Sequence, residues 1–171
     1  MGGFAVNVFA TVGTTSFNPL VEALDKGSFS ASSTIQIADG TYQPKSALWF
    51  RFEPNIQKHI DNADVIVCHA GAGSIFRLLG EGKVPLVVPN TERRDKHQLE
   101  IARWLVEKRY AVVAMSAAEV NQKLHDYPEE KLNCTAFAEK RFFYKEVLNE
   151  LLRYQIGLAS AHSKTPGALE R

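Results

Sequence analysis

The sequence predicts an α/β fold: a Rossmann-like, doubly wound, mainly parallel sheet. Three observations carry this. Short apolar runs rich in β-branched residues recur at 4–12, 64–68 and 85–88, with helically spaced segments between them. The runs are continuous rather than alternating, which is the pattern of parallel strands covered on both faces. Strand and helix alternate through most of the chain, as in successive βαβ units.

The elements follow in order. The strand at 4–12 stops at Gly13, and Ser16 is placed to cap a helix carrying Leu20, Val21 and Leu24, which Gly27 ends. Residues 34–37 and 48–52 read as strands, separated by the turn residues Asp39-Gly40 and Pro44. A helix over 54–62 spaces Ile56 and Ile60 one turn apart. After the strand at 64–68 comes a glycine loop, residues 69–74, then a helix over 75–81 ended by Gly82. The strand at 85–88 leads to an amphipathic helix over 95–109, with Leu99, Ile101, Ala102, Leu105 and Val106 apolar, and to a strand over 110–114. A C-terminal helix over 139–156 carries Phe142, Phe143, Val147, Leu148, Leu151 and Leu152, a stripe that packs either on the chain's own sheet or on a partner. Residues 157–171 are rich in small residues without periodicity and are expected to form a disordered tail, leaving one domain over 1–156.

Composition narrows the partners. A chain of 171 residues has room for one domain with a helical appendage. Hydrophobic residues at 45% and charged residues at 23% exclude wholesale disorder. With 20 Lys+Arg against 19 Asp+Glu, the net charge of +1 calls for neither nucleic acid nor an acidic membrane surface. Cys68 and Cys134 make no disulfide framework and favour a reduced, cytosolic setting. No apolar run reaches the ~18 residues of a membrane span, and Met1-Gly2-Gly3-Phe4 lacks the basic start of a signal peptide.

In a doubly wound sheet ligands bind beyond the carboxyl ends of the strands, and three loops there carry chemistry. Gly13-Thr14-Thr15-Ser16 offers N–H groups at a helix start, as a phosphate contact or as an ordinary strand-to-helix turn. His69-Ala70-Gly71-Ala72-Gly73-Ser74 lets the backbone approach a diphosphate, or is one more glycine turn. It is neither a Walker A loop nor a G-x-G-x-x-G, and its serine follows the second glycine, so it forms no nucleophile elbow. The third loop runs from Asn90 to His97 and Gln98, whose imidazole and amide can bond sugar hydroxyls. The alternative there is a solvated helix end, the reading given to Arg93, Arg94 and Lys96. Five scattered histidines make no metal site, and Cys68 reads as a small buried apolar residue rather than a nucleophile.

Four segments in this order carry a family resemblance: residues 8–17 (VFATVGTTSF), 36–41 (QIADGT), 63–74 (ADVIVCHAGAGS) and 95–102 (DKHQLEIA). Over about residues 4–114 the chain resembles the catalytic subunits of the eukaryotic UDP-GlcNAc transferases that act on dolichyl-diphospho-GlcNAc, with a glycosyltransferase family 28 C-terminal-like domain. More distantly it is similar to the C-terminal half of the GlcNAc transferase that completes the peptidoglycan lipid precursor. The resemblance implies the donor-binding half of a GT-B enzyme, with UDP-GlcNAc as substrate and no metal or other cofactor. Gly13, Thr14 and Thr15 would line the phosphate side. His69, Gly71, Ala72, Gly73 and Ser74 would cradle the diphosphate and sugar, His97 and Gln98 would contact the GlcNAc hydroxyls, and Asn90 would border the pocket.

The implied reaction is inverting and β1,4-forming, the second step of lipid-linked oligosaccharide synthesis for N-glycosylation. His69 is the candidate base, with a group on another chain as the alternative. One Rossmann-like half implies a membrane-anchored, acceptor-binding subunit as partner, binding the dolichol-linked acceptor and recruiting the chain to the cytosolic face of the endoplasmic reticulum. One position departs from the family. Three residues after Ser74, where the family has an acidic residue, stands Arg77, a donor-only group that cannot accept a ribose O–H bond. Glu81, one turn on, is the expected substitute. The rival readings are a bacterial exopolysaccharide UDP-sugar transferase subunit and a non-catalytic nucleotide-binding module, the latter favoured by Arg77.

Overall fold

A computed structural model describes residues 6–92 and 96–137. The expected helix over 139–156, the tail over 157–171, and Arg93, Arg94 and Asp95 lie outside the described residues. Six strands form one sheet, β1 (Val8–Thr11), β2 (Ser33–Gln36), β3 (Leu48–Phe50), β4 (Val65–His69), β5 (Leu86–Val88) and β6 (Val112–Val113), in the order β3-β2-β1-β4-β5-β6. Every neighbouring pair is parallel. The sheet is the doubly wound, Rossmann-like arrangement the sequence predicts.

Alternation within each strand explains why both faces are dry. Val8 and Ala10 of β1, Val65 and Val67 of β4, and Leu86 and Val88 of β5 join one buried cluster. That cluster includes Leu20, Val21 and Leu24 of helix α1 (Asn18–Asp25) and Val120, Leu124 and Tyr127 of helix α5 (Val120–Leu132). Phe9, one residue out of phase, faces the other side and stacks 5.2 Å from His59 of helix α2 (Gln57–Asn62). On that face helices α3 (Ala72–Gly80) and α4 (His97–Lys108) bury Ile75, Leu78, Leu79, Ile101, Trp104 and Leu105. Burying each such side chain stabilises the fold by about 1.5–3 kcal/mol.

Several boundaries differ from expectation. Ser16 does not cap α1: the cap position is Phe17, with no side-chain cap bond, and the Ser16 carbonyl instead accepts from Asn90 Nδ2 at 3.2 Å. The glycine loop is shorter than predicted, because α3 begins at Ala72 and takes Gly73 and Ser74 into its first turn. Helix α2 starts at Gln57, three residues late, and α4 ends through Arg109, a non-glycine residue at φ 55°. Helix α5 has no counterpart among the expected elements. Pro128 interrupts its interior, yet Val120, Leu124 and Tyr127 fall on one stripe. The Tyr127 hydroxyl donates to the Val84 carbonyl at 2.5 Å, tying the helix to the entry of β5. Burial pushes that phenol up to about 12.

Candidate functional site

The strand order reverses between β1 and β4, so the loops that follow them diverge to opposite faces and leave a crevice at the carboxyl edge. The register fixes what meets there. Thr11 lies opposite Gln36 on β2 and Cys68 on β4, and His69 lies opposite Val88 on β5. The three loops singled out in the sequence therefore leave the sheet side by side.

The first turn is built from inside. The Thr11 hydroxyl donates to Gln36 Oε1 at 2.6 Å, in the buried interior, and accepts the Gly13 N–H at 3.1 Å. Gly13 is thus spent on the fold rather than offered to a ligand, and any phosphate contact falls to the residues after it. Its glycine is required for another reason: φ is +67°, and a Cβ would stand 2.5 Å from Cε1 of His69. The same ring fills the space beside Gly71, so the half-buried His69 is a spacer that sets the separation of the two glycine turns. Gly13→Ala is accordingly expected to lower stability by about 2 kcal/mol in urea unfolding, from the left-handed backbone and the displaced ring together. A loss under about 0.5 kcal/mol, the usual range for an uninvolved surface site, refutes the spacer role.

The second loop delivers a helix end. Gly71 occupies the cap position of α3, with no side-chain cap bond and no acidic residue in the first turn. The N–H groups at this end have no intrahelical acceptor, and the helix dipole adds partial positive charge there. Cys68, just before the loop, is fully buried, and burial pushes its thiol up to about 12, which makes it a packing residue rather than a nucleophile.

The third loop is used differently from expectation. Gln98 Oε1 accepts the Asn90 N–H at 2.8 Å, and Asn90 is buried, with its side chain bonding Ser16 O and the Glu92 N–H. These amides stitch the β5 loop to the β1 loop. His97 is exposed as the first residue of α4, its Nδ1 3.5 Å from Glu100 Oε2.

Of the expected residues, Gly13, Thr14, Gly73 and Ser74 line a cleft of about 550 Å³. Thr15, His69, Gly71, Ala72, Asn90, His97 and Gln98 are not among its lining residues. The other walls come from residues given no binding role in the sequence: Thr11 and Gln36 at the ends of β1 and β2 and Asp39 just after β2, all inside motif segments, Arg51 to Pro54 after β3, and Arg77 on α3. Arg51 donates from one guanidinium nitrogen to the carbonyls of Ala38 and Gly40, both at 3.0 Å, and so fixes the β2 loop. Glu53 pairs with Lys58 at 3.0 Å, and this partner lowers its carboxyl. Arg77 bonds Glu81 Oε1 at 3.1 Å and Gln57 Oε1, while Gln57 Nε2 donates to Glu81 Oε2 at 3.1 Å. Both Glu81 oxygens are engaged outside the cleft, so Glu81 does not replace the acidic residue missing at Arg77. Among the described residues no group of three or more His, Cys, Asp and Glu side chains is placed to hold a metal ion.

Known proteins share this architecture. In sequence, the chain is 36% identical over 113 residues to the UDP-N-acetylglucosamine transferase subunit ALG13 of Homo sapiens, covering 57% of this chain and 10% of that protein. It is 33% identical over 111 residues to the subunit of the same name from Candida albicans, covering 65% of this chain and 34% of that one. The chain therefore spans a tenth and about a third of these relatives. In structure, it superposes on the solution structure of ALG13 with a TM-score of 0.57 at 21% identity, covering 80% of this chain and 90% of that one. It superposes on Acinetobacter baumannii MurG with a TM-score of 0.57 at 20% identity, covering 77% of this chain and 44% of that one. At these identities the two superpositions speak for the fold alone. The model of the glycosyltransferase family 28 C-terminal domain matches residues 7–146, which takes in every strand of the sheet and all three edge loops, and the chain belongs to that family.

Proposed function

We propose that this chain is the donor-binding subunit of an N-acetylglucosaminyltransferase and that its cleft holds UDP-GlcNAc. The observation that carries the reading is the convergence of two anion-receptive backbone ends, the turn after Gly13 and the start of α3, on one cleft at the strand-order reversal. The name shared by its sequence relatives supplies the nucleotide sugar. Transfer runs to dolichyl-diphospho-GlcNAc with inversion, the acceptor O4 attacking C1 opposite the leaving UDP to give a β1,4 bond. Charge growing on the diphosphate is met by fixed N–H groups and the α3 dipole, with no metal or other cofactor required of the chain. The acceptor proton goes either to His69, whose ring lies between Gly13 and Gly71 outside the cleft lining and would have to turn toward the sugar, or to a group on the second subunit. Asn90, His97 and Gln98 border the sugar end, with Gln98 reaching it once its bond to Asn90 opens.

A membrane-anchored second subunit completes the site from the acceptor side and holds the chain at the cytosolic face of the endoplasmic reticulum. A specific observation favours a second reading, a nucleotide-binding module without catalysis: Arg77 stands where an acceptor for the ribose is expected.

Titration calorimetry of the full chain with UDP-GlcNAc and UDP tests the first step, and saturable binding is the expected result. A folded chain that binds neither overturns both readings. Binding without turnover on a lipid-diphospho-GlcNAc acceptor, in the presence of the co-expressed membrane subunit, leaves the second reading standing and removes the first.

A further inference from the structure

We propose that Asp39 is the residue that recognises the ribose hydroxyls of the bound nucleotide, a role that rests on the nucleotide-binding reading above. The argument starts from the loop. Asp39 follows β2 at the carboxyl edge, between Ala38, a non-glycine residue at φ 48°, and Gly40. Such a backbone costs about 1–2 kcal/mol for a residue with a Cβ, and it persists only where its surroundings hold it.

Here they do. Arg51 clamps the carbonyls on either side of Asp39, the Gly40 N–H donates to Ile37 O at 2.9 Å, and the Asn18 side chain accepts the Thr41 N–H at 3.0 Å. The loop is thus pinned through its backbone, while the Asp39 carboxylate makes no hydrogen bond or ion pair to any described residue. The fold spends three side-chain contacts to hold a carboxylate that it does not itself use.

The cleft supplies the reason. Asp39 lines it together with Thr14 and Ser74, at the two backbone ends proposed to take phosphate. A nucleotide with its phosphates there brings its sugar into the same cavity, and a vicinal diol asks for an acceptor. Arg51 and Arg77 are donor-only. Glu53, the other carboxylate on the wall, is committed to Lys58. Glu81 is committed to Arg77 and Gln57. Among the described residues, Asp39 is the carboxylate on this wall that remains uncommitted, and a carboxylate is a stronger acceptor for a diol than the Thr14 or Ser74 hydroxyl beside it.

Calorimetry of the full-length chain with UDP, 2′-deoxy-UDP and 3′-deoxy-UDP tests this, comparing wild type with Asp39→Ala and Glu81→Gln. Wild type is expected to prefer UDP over at least one deoxy analogue by about tenfold or more, the worth of a hydrogen bond to a charged group. Asp39→Ala is expected to bind all three alike, with an unchanged circular dichroism spectrum, since the side chain is exposed. Glu81→Gln is expected to discriminate like wild type. If Asp39→Ala keeps the preference, if Glu81→Gln loses it, or if wild type never shows it, the assignment of Asp39 is overturned while nucleotide binding stands. If wild type does not bind UDP at all, the nucleotide reading fails, and this role fails with it.

Discussion

Gly73→Asp is expected to abolish UDP and UDP-GlcNAc binding and to leave the chain folded. The two halves of that outcome have separate causes. Gly73 is exposed in the first turn of α3, and a Cβ built there meets nothing within 4 Å. A carboxylate at a helix start interacts favourably with the dipole, so stability should move by no more than about 0.5 kcal/mol. Binding suffers because Gly73 lines the cleft, and the new charge competes with a diphosphate for the same N–H groups. Two unit charges 4 Å apart repel by about 4 kcal/mol at an effective dielectric near 20, so a weakening of at least about 100-fold is expected. Gly73→Ala is the control, since it adds a methyl group to open space and should leave affinity within about threefold. Unchanged affinity in the aspartate variant, measured by calorimetry beside a thermal melt, removes α3 from the phosphate site.

The sequence located this site by its backbone-bearing loops and missed most of its walls. Gly13, Thr14, Gly73 and Ser74 are legible because glycine and small polar residues after an apolar run mark a turn wherever they occur. Arg51 and Asp39 are not, because their meaning depends on which strands are neighbours. Arg51 acts on a loop 11–13 residues back in the chain, and the Thr11–Gln36 bond spans 25 residues. Asn90 and Gln98 are legible in their chemistry but not in their partners. Their chemistry suits a sugar, but an amide that binds a ligand and one that stitches two loops look alike until partners are assigned, and here they bond one another.

The same division runs through the fold. Every strand but β2 (Ser33–Gln36) shows as a mainly apolar run, and parallel order follows from alternation with helices except between β2 and β3, which pair in parallel with no helix between them. The start of α3 was hidden because Ala72-Gly73-Ser74 reads as loop. Glycine costs a helix about 1 kcal/mol, which the buried Ile75, Leu78 and Leu79 outweigh. Helix α5 was hidden by Pro128 and by its many charged residues, although the spacing of Val120, Leu124 and Tyr127 was available.

Asp25→Asn is expected to be the most destabilising of the changes considered, and its effect should depend on pH. Asp25 sits in the last turn of α1, where the helix dipole disfavours an anion, so nothing in the local sequence marks it as structural. It is buried and accepts five bonds: from the N–H of Lys45 to both oxygens, from those of Ser46 and Ala47 at 2.8 and 2.9 Å, and from the Tyr42 hydroxyl at 2.9 Å. Burial by itself raises its pKa, but these donors outweigh burial and hold the carboxyl at about 2. An amide in its place turns an NH₂ toward backbone donors and leaves buried groups unmatched, a loss of about 3 kcal/mol. Because the folded pKa is depressed, the carboxylate's contribution is complete above the unfolded value of about 3.9 and fades as pH falls toward 2. Urea unfolding should therefore show a wide gap between wild type and variant near neutral pH and a narrower one toward about pH 2; a gap that stays constant excludes Asp25 as the source. The consequence reaches the cleft as well. Lys45 to Ala47 lead straight into β3, which delivers Arg51 to the loop that presents Asp39. A chain that loosens at Asp25 should thus lose UDP affinity before it loses its sheet.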